Sequence, residues 1–182
     1  MSPGDDELPR GKTVFPSLVQ VHFDGACEPA RGGGIATYGF TVEGSGLKYE
    51  EFGLAVPPWS PRATNNVAEY SAATRALEWL AQQGFRGQVV LLGDSELVVR
   101  QMQGEYRVRA EHLRAYKEHL DRLVQRFEGV RFGWIPREEN TRADELSKRA
   151  FEQERRSAGR HRPPTLPAPL SEDDGEWPSE ER

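Results

Sequence analysis

The fold is decided by Leu18–Phe40, which reads LVQVHFDGACEPARGGGIATYGF. Apolar and polar residues alternate in its first part, which predicts a strand that has one face in a core and ends on the acid Asp24. Gly25 and Ala26 follow, and both are too small to block approach to the carboxylate. A run of glycines then turns the chain into a second predicted strand over residues 35–42. A carboxylate delivered into such an opening can seat a metal ion, but an Asp-Gly pair at a strand end more often marks a simple turn.

Composition limits the class of protein. The chain has 182 residues, which is enough for one domain plus tails. Its formal net charge is −5, whereas a general polyanion binder works through a large positive field. Its single cysteine, Cys27, excludes an internal disulfide and fits a reducing compartment. The sequence has no apolar run long enough to span a membrane and no signal-peptide pattern. We therefore expect a cytoplasmic protein without a membrane partner.

The pattern predicts a domain over residues 18–152, between a flexible leader (1–17) and a disordered tail (153–182). The connection before the third strand is too brief for a crossover helix, so the first three strands should pair antiparallel. The elements after the second strand follow from periodicity, caps and apolar runs: a strand within 48–56, a helix from near 66 to Gly84, a buried strand at 89–92, helices at 94–102 and 113–127, a strand at 130–135 and a helix at 143–151. The order βββαβααβα predicts an α/β fold, a mixed sheet with helices on its faces.

Four acids fall where such a sheet gathers ligands. Asp24 ends the first predicted strand and Asp94 follows the fourth, so both should lie at the edge formed by the carboxyl ends of parallel strands. Glu69, one turn into the first helix, and Asp144, at the start of the last, can reach the same edge. Several carboxylates without matching His or Cys favour a hard cation, Mg²⁺ or Mn²⁺. Each acid also has a plainer interpretation, as a solvated helix residue or an acid favoured by a helix dipole.

Four blocks around these acids resemble the signature blocks of type 1 ribonuclease H: DGAC with its trailing GGG, TNNVAEY, GDSELVVRQ and NTRADELS. They occur in the family's order. The resemblance implies a ribonuclease H-like five-stranded mixed sheet with helices on both faces. It also implies an endoribonuclease that cuts the RNA strand of RNA/DNA hybrids with two divalent ions, leaving a 5′-phosphate and a 3′-hydroxyl. Mapped by motif, Asp24 bridges both ions, Glu69 and Asp94 complete one site, and Asp144 holds the other ion. In that mechanism one ion activates a water and the other stabilises the leaving 3′ oxygen.

Candidate substrate contacts surround the first two acids. The 2′-hydroxyl distinguishes RNA from DNA, and backbone groups beside Gly25 and Ala26, or the side-chain amides of Asn65 and Asn66, suit contact with it. Cys27 has no local base to activate it and is not expected to be a nucleophile. The full set of substrate-binding candidates, part of it carried over from the family, is Gly25, Ala26, Cys27, Arg62, Thr64, Asn65, Asn66 and Glu96.

The resemblance gives some of these candidates more specific roles. Asn66 and Glu96 would contact the minor groove, while Arg62 and Thr64 would form part of a pocket for a DNA phosphate. Helix capping is an equally good account of Thr64 and Asn65.

Two departures from the best-known bacterial members bear on activity. Those enzymes carry a basic, tryptophan-bearing protrusion between the fourth and last strands, where this chain is short and lacks tryptophan, so we expect weaker binding of the DNA strand. They also place a mobile histidine before the last acid, where this chain has Arg137, as in the archaeal-like subgroup. Arg137 is a candidate catalytic residue that can hold a phosphate but cannot shuttle a proton.

Alternatives remain open. A 3′–5′ exonuclease of the same fold usually has a second acid two residues after the first, where this chain has Ala26. A hybrid-binding module without catalysis would not need all four acids, and a domain with chance acids would not bind divalent ions tightly. We expect a monomer that acts on RNA/DNA hybrids, with double-stranded RNA open as a second substrate.

Overall fold

A computed structural model describes residues 17–30 and 33–158 of the chain. The elements follow one another in the predicted order: β1 (Leu18–Glu28), β2 (Ile35–Gly44), β3 (Leu47–Leu54), α1 (Asn65–Gln82), β4 (Gln88–Gly93), α2 (Glu96–Met102), α3 (Glu111–Val124), β5 (Gly129–Trp134) and α4 (Thr141–Ala158). A single 3₁₀ turn, Arg137–Glu139, lies between β5 and α4. The first sixteen residues of the predicted leader, and the tail from residue 159 on, lie outside the described part.

The five strands form one mixed sheet in the order β3-β2-β1-β4-β5. β1, β2 and β3 form the predicted antiparallel meander, whereas β4 pairs parallel with both β1 and β5. The carboxyl ends of β1 and β4 therefore meet at the same edge of the sheet. This confirms the predicted fold class and places the segments that follow these strands close together.

The two faces of the sheet carry different helices. On one face, Val19, Val21 and Phe23 of β1 pack with α1 in the main hydrophobic core. On the other face, α4 comes so close to β2 that a Cβ added to Gly39 would lie 2.6 Å from the backbone nitrogen of Ser147. α3 packs on α1, and α2 packs against β5. Helices thus cover both faces, as expected.

β1 continues beyond Asp24, and the prediction that the strand ends there is wrong. Its parallel pairing with β4 reaches only His22, but its antiparallel pairing with β2 continues to Glu28. Past Asp24 the strand belongs to a smaller cluster of compact residues, Cys27, Ala36, Ala63 and Ala68. The alternation of large apolar residues therefore stops before the strand does.

Helix α1 starts and ends as its local sequence predicts. Thr64 is its N-cap, and the Thr64 hydroxyl accepts a hydrogen bond from the Val67 backbone N–H at 3.2 Å. Between the two candidate caps, the structure therefore selects Thr64. After the last turn, Gly84 has a φ of +76°, a left-handed conformation that favours glycine and stops the helix.

Helix α4 is longer than predicted, because it runs past Glu152 to Ala158. Its last turns are exposed and charged, and Arg156 pairs with Glu152 one turn earlier at 3.6 Å. Such a segment is helical through propensity and i,i+4 pairs without an apolar stripe, so apolar periodicity does not detect it. The division into leader, domain and tail otherwise stays a prediction. None of the helices within residues 17–158 is apolar and long enough to cross a membrane.

Candidate metal centre

Three carboxylates converge at the sheet edge. Asp24, Glu69 and Asp94 each offer one oxygen, and these three oxygens all lie within 4.8 Å of one another. β1 supplies Asp24 just beyond its pairing with β4, the segment after β4 supplies Asp94, and the first turns of α1 supply Glu69. The structure therefore brings together three of the four acids that the sequence singled out.

Gly25 allows α1 to come this close to β1. A Cβ at Gly25 would lie 2.2 Å from the Glu69 backbone nitrogen and 2.8 Å from the Ala68 Cβ, so any side chain here would push the helix away. The Gly25 backbone also hydrogen-bonds the Glu69 carboxylate. The small residue after Asp24 thus sets the distance between two of the acids.

Burial and mutual repulsion disfavour full ionisation of this cluster. Asp24 is only 5% exposed. Burial raises its pKa to about 7, with repulsion from Asp94 and Asp144 adding to the shift and a hydrogen bond from Ser147 opposing it. The pKa of Glu69 is raised well above its ordinary value, first by burial and then by Asp24 and Asp94. A bound cation would relieve this repulsion.

The donor set fits a hard divalent cation. Glu69 Oε2 is buried and has no hydrogen-bond partner among the described residues, which leaves it free for a ligand. All three side chains supply carboxylate oxygens, the ligands that Mg²⁺ and Mn²⁺ prefer. Asp24, Glu69 and Asp94 are therefore the residues that would hold such an ion.

Asp144 lies outside the group of three, and two basic side chains form ion pairs with it. Arg137 Nη2 donates to its Oδ1 at 2.7 Å, and Lys148 Nζ donates to its Oδ2 at 2.5 Å. Partial burial acts to raise the pKa of Asp144, but these hydrogen bonds outweigh it and hold that pKa below its ordinary value. Asp144 is still close enough for its negative charge to raise the pKa of Asp24. Its role as a ligand of a second ion stays a prediction.

Two buried residues beside the acids were not singled out by the sequence. The Asn140 side-chain amide donates to the Phe23 carbonyl at 2.8 Å and to Asp94 Oδ1 at 3.1 Å, which links β1 to Asp94. The Ser147 hydroxyl donates to Asp24 Oδ2. Both lie in the NTRADELS block, one on each side of Asp144. Asn140 precedes α4 and Ser147 lies within it, and their polarity in that block was the available signal.

The comparisons with known proteins agree with this geometry. Residues 52–150 match the protein family described as reverse transcriptase-like. Ribonuclease HI of Halobacterium salinarum is 37% identical over 136 residues, which cover 74% of this chain and 64% of that protein. The solved N-terminal ribonuclease H domain of a Mycobacterium tuberculosis protein superposes with a TM-score of 0.67 at 32% identity, covering 78% of this chain and 99% of that chain.

This chain belongs to the type 1 ribonuclease H family.

Another solved structure shows a similar protein with a bound nucleic acid. LC11-RNase H1 in complex with RNA/DNA hybrid is 33% identical, with a TM-score of 0.66, and the match covers 75% of this chain and 98% of that chain. Some relatives are much longer: this chain spans 26% of the mycobacterial bifunctional protein, with 37% identity over 97 residues.

In this ribonuclease H fold, Cys27 and Asn65 are joined by a hydrogen bond. The Cys27 backbone N–H donates to Asn65 Oδ1 at 2.8 Å, so the Asn65 carbonyl is engaged within the protein. The Cys27 thiol is buried and donates to the Ala63 carbonyl at 3.1 Å, and burial raises the pKa of this thiol to about 12. The thiol is therefore protonated at neutral pH, in keeping with the prediction that it is no nucleophile.

The other substrate-contact candidates lie on β1, at or before the start of α1, and at the start of α2. Thr64 caps α1, Asn66 lies in its first turn, and Arg62 is exposed in the preceding loop. Glu96 begins α2, and its carboxylate is 3.6 Å from Arg100. Ala26 lines a surface groove together with Cys27 and Lys148. Contact of these residues with a nucleic acid stays a prediction.

Proposed function

We propose that this protein is an endoribonuclease that hydrolyses the RNA strand of RNA/DNA hybrids with divalent cations bound at the metal centre. The observation that carries the proposal is the convergence of Asp24, Glu69 and Asp94, with a buried Glu69 oxygen left unpartnered. The hybrid complex of LC11-RNase H1 supports the substrate class.

The chemistry assigns separate tasks to the ions and to the protein. When bound, the divalent ions activate a water for in-line attack on the phosphodiester and stabilise the leaving 3′ oxygen, so that the products carry a 5′-phosphate and a 3′-hydroxyl. Asp24, Glu69 and Asp94 would hold the first ion. Asp144, together with Asp24, would hold the second. We expect Mg²⁺, with Mn²⁺ as a substitute.

Arg137 has a phosphate-binding task in this proposal. Its guanidinium bonds Asp144, and its side chain is 68% exposed, so it can also reach a ligand in solution. A guanidinium stays charged throughout the working pH range and holds phosphate oxygens through paired N–H groups. Arg137 is therefore assigned to the backbone phosphate of the RNA strand, with no part in proton transfer.

Recognition of the hybrid is assigned to the residues around the metal centre. Backbone groups at Gly25 and Ala26 suit the 2′-hydroxyls of the RNA strand, whereas at Cys27 the N–H is engaged by Asn65 and only the carbonyl could take part. The amide nitrogen of Asn65 remains for the same purpose, since its oxygen is engaged by Cys27. The remaining candidates keep their assigned contacts, namely the minor groove for Asn66 and Glu96 and a DNA phosphate for Arg62 and Thr64. A monomeric state and a cytoplasmic location complete the proposal.

The decisive experiment labels one strand at a time in an RNA/DNA hybrid, a DNA duplex and an RNA duplex, each with Mg²⁺, with Mn²⁺ and with EDTA. We expect cation-dependent cleavage at internal sites of the RNA strand in the hybrid, and fragments whose 3′ ends a polymerase extends. Shortening from one end would indicate an exonuclease. A hybrid that is retained in a gel-shift assay with Mg²⁺ but stays uncut would indicate a binding module. The RNA duplex decides the question of a second substrate.

A further inference from the structure

Ser147 is a buried serine whose side chain hydrogen-bonds a residue of another element. It is fully buried on α4, one turn after Asp144, and its hydroxyl donates to Asp24 Oδ2 on β1. Ser71 on α1 shows the ordinary arrangement, because its hydroxyl donates to the Val67 carbonyl four residues earlier in the same helix. The Ser147 oxygen also lies 3.0 Å from the Asp144 carbonyl. Its single proton is placed on Asp24, since a hydrogen bond to a carboxylate is the stronger one.

Two residues of β2, Gly39 and Thr37, help to position Ser147 next to Asp24. Gly39 is the β2 residue directly opposite Asp24, and its missing side chain lets α4 lie against the sheet at this point. Two residues before Gly39 on β2, the buried Thr37 hydroxyl donates to the Ser147 carbonyl at 2.9 Å. The Ser147 backbone is therefore fixed relative to β2 while its side chain is fixed on Asp24.

We propose that Ser147 is a positioning residue for Asp24, holding its carboxylate in the orientation in which it shares a divalent cation with Glu69 and Asp94. Without this donor, repulsion by the two neighbouring acids would turn the Asp24 carboxylate away from them. Hydrogen-bond partners of metal ligands commonly set ligand orientation in this way. The inference rests on the proposed function, because it assigns a role toward the same metal centre.

The test uses Ser147→Ala in the full chain, with Mn²⁺ binding measured by titration calorimetry and cleavage of an RNA/DNA hybrid measured by steady-state kinetics. Mn²⁺ affinity should fall by about 10- to 100-fold, the usual cost of losing a hydrogen-bond partner of a metal ligand. At a fixed, subsaturating Mn²⁺ concentration kcat should fall in proportion, while KM for the hybrid stays near the wild-type value. A role in substrate binding would instead raise KM.

Ser71→Ala is the matched control, since it removes the same hydroxyl from a buried helical serine that hydrogen-bonds the Val67 carbonyl of its own helix. It should leave Mn²⁺ affinity and kcat unchanged. The proposal is overturned if Ser147→Ala binds Mn²⁺ like the control, if KM alone changes, or if the variant does not fold, because that result would make Ser147 a determinant of folding. If the wild-type protein itself neither binds Mn²⁺ nor cuts the hybrid, the proposed function falls, and this inference falls with it.

Discussion

At the scale of single residues, opposing interactions set the pKa of the Asp24 carboxylate. Burial and the negative charges of Asp94 and Asp144 raise its pKa to about 7, and the Ser147 hydroxyl opposes that shift. The folded-state pKa lies above the ordinary value of 3.8, so the folded protein binds this proton more tightly than the unfolded chain does. The ionised carboxylate therefore lowers the stability of the metal-free protein progressively as the pH rises from about 4 to about 7, and the penalty persists above that window.

Replacing Asp24 tests both the chemistry and the electrostatics. Asp24→Asn should lower the hybrid cleavage rate by more than about 100-fold, since a shared metal ligand should matter more than an outer hydrogen-bond partner. In EDTA at about pH 8 it should melt higher than the wild type, because a carboxylate with a raised pKa is removed, and the difference should shrink toward about pH 4. Mg²⁺ should raise the melting temperature of the wild type and shift the variant much less.

Asp121→Asn provides the control for this comparison. Asp121 accepts a hydrogen bond from Lys117 at 2.7 Å on α3, and it is not among the charges that shift the pKa of Asp24 or Glu69. Its replacement should lower the melting temperature slightly, by the small amount typical of an exposed ion pair, and leave cleavage intact. If Asp24→Asn cleaved at a near-normal rate, or melted lower than the wild type at about pH 8 in EDTA, the carboxylates would not form one site.

At the scale of elements, two glycines set the distances on which the metal centre depends. Gly25 lets α1 approach β1 on one face of the sheet, and Gly39 lets α4 approach β2 on the other. At both positions a Cβ would meet backbone atoms of the facing helix, and a whole helix cannot rotate away as a flexible side chain can. The helices that carry Glu69 and Asp144 are therefore positioned by the absence of side chains in the strands beneath them.

Gly39→Ala measures how tightly α4 is packed. The new Cβ would lie 2.6 Å from the Leu146 Cβ and 2.7 Å from the Ala143 carbonyl oxygen, so α4 must shift. The free energy of unfolding should fall by about 1–3 kcal/mol, the typical cost of overpacking, as measured by urea denaturation. Gly129→Ala is the control, because the nearest atom to its Cβ is Gln88 Cγ at 4.0 Å. Equal stabilities for the two variants would mean that α4 is not seated closely on the sheet.

At the scale of the whole molecule, the described domain packs around its sheet while the end of α4 stands outside the core. Residues 154–157 of α4 are mostly exposed, and Arg156 and Ser157 interact with Glu152 and Gln153 of the preceding turn. The chain is acidic overall, with a net charge of −5, so attraction to a nucleic acid has to come from local groups of arginines and lysines.

Removing residues 154–182 tests the predicted domain boundary. The shortened protein should keep the melting temperature and the hybrid cleavage rate of the full chain, since α4 loses only exposed turns. The arginines removed with the tail should add affinity for the hybrid that declines with salt, and the full chain should therefore lose more affinity than the shortened protein as salt is raised. Unfolding of the shortened protein, followed by circular dichroism, would place the boundary later in the chain.

Local patterns in the sequence were enough to predict the order of the elements, the antiparallel start of the sheet and the end of α1. They were also enough to single out the four acids as candidate metal ligands. These features are local: alternation, caps, glycine stops and short motifs depend on residues within one or two turns of each other. The family resemblance was available for the same reason, since its four blocks are short and each surrounds one acid.

Which side chains come together at the metal centre became clear only from the folded chain. It showed that β1 continues past Asp24, that Asp144 is bound by Arg137 and Lys148, and that Ser147 reaches back to Asp24. Asp24 and Ser147 lie more than a hundred positions apart in the chain. Their contact depends on the register of β1 against β2 and on how closely α4 packs on the sheet, and both are set by the sum of many long-range contacts, which no local pattern in the sequence records.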